Sequence, residues 1–177
     1  MNHFDVDSCL ESFEILVDSR EQPTEKAKKR YKLFDAPYKR CTLDYGDYAA
    51  NCTLLSGEPL YDVSRRVSAD VVIERKMNLD ELAMCFTRSR DRFQAEFERA
   101  KKNDAKIYLL VENATWENLI NGKYRSKYNP KAYAASITAY MARYGINVIM
   151  CKAETSVGLI KEILYRETKE RLKDVEL

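Results

Sequence analysis

"VVIERKMNLDEL", Val71 to Leu82, opens like a strand made to be hidden and then sets three charges in a row. Val71, Val72 and Ile73 are β-branched and apolar, which suits a buried strand. Glu74, Arg75 and Lys76 follow where a core would continue. Residues two apart in a strand share a face, so Glu74 and Lys76 point one way and Arg75 the other. A carboxylate and an ammonium at a strand end can be a plain surface ion pair, worth about 0–1 kcal/mol. Their company argues for more. "LDYGDY" (43–48) puts Asp47 after a glycine turn at the head of another candidate strand, and "ILVDSRE" (15–21) again ends an apolar run in charge. Three strands with acid at one end can converge on one edge of a sheet, and in open α/β sheets such edges leave a crevice where ligands bind.

Short apolar runs elsewhere predict strands at Phe13–Val17, Tyr38–Leu43, Tyr48–Leu55, Val71–Glu74, Lys106–Glu112 and Ile146–Cys151. Between them lie helical patterns. Ala27, Tyr31 and Phe34 repeat at i, i+4, i+7 after Pro23; Leu79, Leu82, Ala83 and Phe86 form one stripe, and Phe93, Phe97 and Ala100 another that is out of phase. The mismatch predicts two helices with a break at residues 87–91. Ile137, Tyr140, Met141 and Tyr144 form a further stripe ending at Gly145, a left-handed cap. A last helix starts near Ser156, buries Leu159, Ile160, Ile163 and Leu164, and is expected to fray beyond Glu167. Alternating strands and helices define an α/β domain with a central mixed β-sheet flanked by helices on both faces. Residues 1–13 read as a loose tail, 14–177 as one domain, and 56–69 as a hairpin excursion.

A chain of 177 residues is the size of one domain, and its 45% apolar and 33% charged residues are ordinary globular usage. No apolar run is long enough for a membrane span, and the N-terminus lacks the features of a secretory signal, so the expected location is cytoplasmic. Five scattered cysteines without a CxxC pair argue against a disulfide framework or a zinc site and read as small core residues. The single histidine, His3, lies in the expected tail, which argues against histidine-based catalysis. Net charge is only +2, but residues 118–152 hold six basic residues and no acid, leaving 24 basic against 28 acidic elsewhere. Positive charge is therefore segregated.

Several carboxylates gathered at one edge repel one another unless a cation lies among them, and a few hard oxygen ligands suit Mg²⁺ or Mn²⁺. A lysine beside such an ion can orient the attacking water while the metal polarises a phosphoryl oxygen. That is the chemistry of phosphodiester hydrolysis. The set "VDSRE" (17–21), "GDY" (46–48) and "ERKMNLD" (74–80), in this order, resembles the nuclease domain of XPF-type structure-specific endonucleases, a restriction-endonuclease-like group related to (D/E)xK nucleases. Arg90 with Gln94, "IYLLVEN" (107–113) and "YGINVIMC" (144–151) continue the likeness. The resemblance implies a metal-dependent DNA endonuclease in which Asp47, Glu74 and Asp18 hold the metal, with the Arg75 carbonyl as a further ligand. It implies that Lys76 positions the water, that Arg20 and Glu21 brace the acids or meet the phosphate, and that Asp80 fixes Lys76 or Arg75.

"NGKYRSKYNPKAY" (121–133) interleaves basic residues with tyrosines, a mixture that can hold phosphates and stack on unpaired bases. Lys123, Tyr124, Arg125 and Lys127, with Arg88 and Arg90 at the helix break, are the candidate DNA contacts. The alternative is a solvated loop whose tyrosines pack on the core. XPF-type proteins of eukaryotes and archaea usually add tandem helix-hairpin-helix motifs. These residues show none, so the expectation is a bacterial or phage version, acting on branched, flapped or junction DNA, with a homodimeric or heterodimeric partner through the helices at 132–144 and 156–164. A non-catalytic DNA-junction-binding partner of an active nuclease is the alternative, weakened because all the motif acids and the lysine are present.

Overall fold

The computed structural model describes residue 1 and residues 3–174. Six strands form one sheet: β1 (Glu14–Asp18), β2 (Tyr38–Cys41), β3 (Tyr48–Asn51), β4 (Val71–Lys76), β5 (Lys106–Glu112) and β6 (Asn147–Cys151), in the order β2-β1-β3-β4-β5-β6. β3 runs antiparallel to both β1 and β4, whereas β4, β5 and β6 are mutually parallel. Parallel neighbours need long crossovers. Helices α3 (Leu79–Phe86) and α4 (Arg90–Lys102) supply the one from β4 to β5, and α5 (Trp116–Ile120) and α6 (Pro130–Tyr144) the one from β5 to β6. The remaining helices are α1 (His3–Leu10), α2 (Glu25–Lys32) and α7 (Ala153–Asp174).

Strand alternation divides the core in two. Leu16, Ala49, Val72 and Leu109 pack with Leu82, Phe86, Phe93, Phe97 and Tyr140 under α3, α4 and α6. Ile15, Tyr48, Ile73 and Leu110 pack with Val6, Tyr31, Phe34 and Ile160 under α1, α2 and α7. Both faces are covered, as the sequence predicts. The break between α3 and α4 also falls where the two stripes lose phase, and Gly145 caps α6 at φ +63°. At the head of α3, Asn78 accepts the Glu81 N–H at 2.9 Å and Glu81 accepts the Met77 N–H at 2.6 Å, a reciprocal cap that ends β4 and starts the helix.

Three expectations need correction. Residues 3–10 are a helix rather than a loose tail, because Val6, Cys9 and Leu10 find an apolar partner in α7. α7 continues to Asp174, since Thr168 and Leu172 are buried on its inner side. Residues 56–69 form no strand hairpin: β3 stops at Asn51, and only isolated bridges, Leu43 with Val67 and Thr53 with Pro59, tie this segment to the sheet. The inner side of α7 (Val157, Ile160, Leu164) is taken up by its own sheet; on α6, Met141 remains exposed. No helix of the described residues is long and apolar enough to cross a membrane.

Candidate active site

β4 carries the centre. Its first four residues are buried, and alternation sends Glu74 and Lys76 to the side of α3 and α4, where both line a cleft of about 280 Å³ with Cys85, Arg88, Arg92 and Glu96. Glu74 is only 5% exposed although it is an acid. Its Oε1 accepts a hydrogen bond from Lys76 Nζ at 2.5 Å, and that ammonium also lies 5.6 Å from the centre of the Phe93 ring.

The glycine turn brings Asp47 to the same place. Gly46 has φ +74°, and a Cβ there would sit 2.7 Å from the Cβ of Val72, so only glycine lets the turn press against β4. Asp47 is then stitched to β4: its N–H donates to the Ile73 carbonyl at 2.8 Å, and its Oδ2 accepts the Arg75 N–H at 2.8 Å. Its carbonyl accepts the Asp18 N–H at 2.9 Å. The three charged strand ends thus meet at one edge.

Burial and the neighbouring Glu74 push the Asp47 carboxyl up to about 8, against the opposing pull of Lys76 and the Arg75 N–H. Burial likewise raises Glu74; Lys76 opposes this and Glu96 adds to it. Burial works against the Lys76 ammonium, but Glu74 and Asp47 outweigh it and hold Lys76 well above its ordinary range. The half-buried Asp47 and the buried Glu74 with one ammonium leave negative charge uncompensated when both acids ionise. The donor set fits a hard divalent cation, which takes one or two carboxylates and keeps waters. Among the described residues no group of three or more Asp, Glu, His or Cys side chains is arranged to hold a metal.

Asp18, expected as a third metal ligand, gives its carboxylate elsewhere. Oδ2 accepts from Arg20 Nε at 2.5 Å and Oδ1 from the Leu43 N–H at 3.2 Å, while Arg20 also donates to the Leu43 carbonyl at 3.0 Å. Asp18 and Arg20 therefore lock the strand that leads into the glycine turn. Glu21 lies on the other face, accepting from Arg30 and Tyr31 at 2.7 Å each and from Tyr48 at 3.1 Å. Arg75 also points there, paired through two hydrogen bonds of 2.7 and 2.5 Å with Glu112, which in turn accepts from Ser156 at 2.6 Å. Asp80 contacts neither Lys76 nor Arg75. Its Oδ1 accepts the N–H groups of Arg125 and Ser126 at 2.8 and 2.7 Å, clipping the basic loop to the head of α3.

Arg88, Arg125 and Lys127 line one open groove of about 900 Å³ with Asp80, Met84 and Tyr128. Arg88 and Met84 also line the Glu74–Lys76 cleft, so cleft and groove adjoin at these two side chains. Arg90 lines neither; its charge acts on Tyr140 of α6. Lys123 is exposed outside the groove. The tyrosines follow the core-packing alternative: Tyr124 donates to the Tyr128 carbonyl at 2.7 Å and meets the buried Tyr133 edge-on, and Tyr133 donates to the Leu79 carbonyl at 2.7 Å. Tyr124 is thereby held in the loop's own packing. All five cysteines are free, and Cys85 lies in the cleft wall rather than the core.

Two residues outside the motifs, Glu96 and Glu112, also carry roles here. Glu96 accepts the Gly46 N–H at 2.9 Å and so braces the turn that presents Asp47. Fifty residues separate them, and no short-range pattern links the pair. Glu112 carries the same signal as Glu74, an acid closing a buried strand, and that signal could have found it.

A mixed sheet with acids and a lysine at one edge, covered by helices on both faces, has the architecture of XPF-type nuclease domains. Two solved structures share it: XPF from Aeropyrum pernix (TM-score 0.59, 16% identity, covering 89% of this chain and 68% of that one) and the same protein in complex with DNA (TM-score 0.59, 18% identity, 89% and 66%). The ERCC4 domain family matches residues 17–163, and the chain belongs to that family. No curated protein sequence matches it.

Proposed function

We propose that the chain is a divalent-metal-dependent DNA endonuclease acting on branched, flapped or single-strand/double-strand junction DNA. The observation that carries this reading is the half-buried Asp47, tied to β4 through the Arg75 N–H, and the buried Glu74, hydrogen-bonded to Lys76, with both carboxyls raised beside a lysine held as ammonium. Asp47, Glu74 and the Arg75 carbonyl would hold Mg²⁺ or Mn²⁺, which when bound supplies Lewis acidity toward the phosphoryl oxygen. Lys76 orients the water and offers positive charge where negative charge develops on the phosphate. The Gly46 turn, braced by Glu96, keeps Asp47 against β4. Arg88, Arg92, Arg125 and Lys127 receive the DNA backbone along the adjoining cleft and groove.

Lys123, Tyr124 and Arg90 contribute less than the basic, tyrosine-rich pattern suggests, since none lines that path. A second subunit would meet α6 rather than the buried face of α7. The reading also assigns the work to the cell interior, where five free cysteines stay reduced. Cleavage of a fluorescent splayed-arm DNA with Mg²⁺, compared between the unaltered chain and Asp47→Ala, tests the proposal. Cutting by the first and not the second supports it; binding by both with cutting by neither establishes a non-catalytic junction binder.

A further inference from the structure

α2, "EKAKKRYK", is the most basic element of the chain, with Lys26, Lys28, Lys29, Arg30 and Lys32 against the single acid Glu25. Lys28 pairs with Glu25 and Arg30 with Glu21, while Lys26 and Lys29 are exposed. These two lysines line an open groove of about 1190 Å³ on the face of the sheet opposite the Glu74–Lys76 cleft. The groove reaches the end of β4, where Arg75 and Met77 form part of its wall. Each of its four acids has a partner: Glu21 in Arg30, Glu25 in Lys28, Glu112 in Arg75 and Glu81 in the Met77 N–H. Leu33 and Met77, 68% and 47% exposed, put apolar surface beside the lysines.

The charged end of β4 therefore stands between the Glu74–Lys76 cleft, which adjoins the groove of Arg88, Arg125 and Lys127, and the α2 groove of Lys26 and Lys29. We infer that the α2 groove is a second nucleic-acid surface, holding a single-stranded arm that diverges at the β4 end while the duplex occupies the first groove. This deepens the endonuclease reading and rests on it. A polyanion is the complementary occupant for unpaired lysines, and exposed apolar side chains among them suit unstacked bases, which a closed duplex would hide. Separating two arms across one strand end would give the chain a preference for branched DNA from its own residues.

The test is fluorescence anisotropy without divalent metal, so that binding is read apart from cutting, on a splayed-arm DNA and on a duplex of equal length. Both substituted residues are exposed and alanine suits a helix, so Lys26→Ala/Lys29→Ala retains the fold, checked by its melting temperature. It is expected to bind the splayed-arm DNA about tenfold more weakly and to flatten the salt slope by roughly 1.4, about 0.7 for each single-strand phosphate no longer neutralised. Duplex affinity stays unchanged, whereas Arg125→Ala/Lys127→Ala weakens both. Unchanged splayed-arm binding in the α2 variant overturns the inference, and so does an equal loss on both DNAs, which would mean a general field rather than a groove. If the unaltered chain binds neither DNA, the endonuclease reading falls with it; if it binds here yet does not cut in the separate Mg²⁺ assay, only the catalytic part falls.

Discussion

Replacing Asp47 with asparagine should stabilise the metal-free protein while abolishing its activity. The amide that Asp47→Asn introduces keeps an oxygen to accept the Arg75 N–H but carries no charge beside Glu74. The native carboxyl is raised from 3.8 to about 8 by burial and by Glu74. Its folded state thus binds a proton more tightly than the unfolded chain, and this contribution to stability is full below pH 3.8 and lost as pH rises toward 8. At about 1.4 kcal/mol per pH unit the ceiling is roughly 5–6 kcal/mol, and because Glu74 shares the strain a gain of about 2–4 kcal/mol is expected near pH 8.5. For a domain of this length that is roughly 4–16 °C in melting temperature. Thermal unfolding in EDTA at pH 8.5 and at pH 4.5 reads it directly. The difference should nearly vanish at the lower pH, and Mg²⁺ should raise the melting point of the unaltered chain more than that of the variant. An Asp47→Asn protein melting at or below the parent in EDTA at pH 8.5 would refute the electrostatic reasoning.

Other consequences are as direct. Gly46→Ala combines a strained positive φ with a contact on Val72 and should cost about 2–4 kcal/mol, read by urea unfolding. Asp80→Ala frees the 125–126 loop and should raise KM for DNA several-fold with kcat nearly intact; a loss confined to kcat would place Asp80 in the chemistry instead. Burial raises the Glu112 carboxyl, but hydrogen bonds from Arg75 and Ser156 outweigh it and lower the net value below 4.5. Its stabilising contribution is therefore full above pH 4.5 and lost as pH falls through the lowered value. Glu112→Gln should cost about 2–4 kcal/mol at pH 7 by leaving Arg75 buried and half-paired, and the gap to the parent should shrink in acid.

Much of this site is legible in the chain because strand alternation is local. "VVIERK" shows which residues share a face, and a glycine before Asp47 signals a turn, so the pairing of Glu74 with Lys76 follows from short-range rules, while the approach of Asp47 to them is what the resemblance implies. What the sequence hides is the destination of long side chains. Asp18 and Asp80 stand at the positions the motifs imply, yet one is held by Arg20 and Leu43 and the other by the backbone of the 125–126 loop. Arg75 faces away by parity, but its buried partner lies 37 residues on. The α2 lysines escape notice when amphipathic spacing is read for its apolar stripe alone. Helix α1 escapes it because its buried face is completed by α7, at the far end of the chain.

The central claim is that Asp47 and Glu74 share one divalent ion. Titration of the protein with Mn²⁺, followed by calorimetry and by the loss of the free-ion electron paramagnetic resonance signal, measures it without DNA. One site in the unaltered chain, lost in both Asp47→Ala and Glu74→Ala and kept in Asp18→Ala, is the predicted result. Mn²⁺ binding that survives either of the first two substitutions would contradict it.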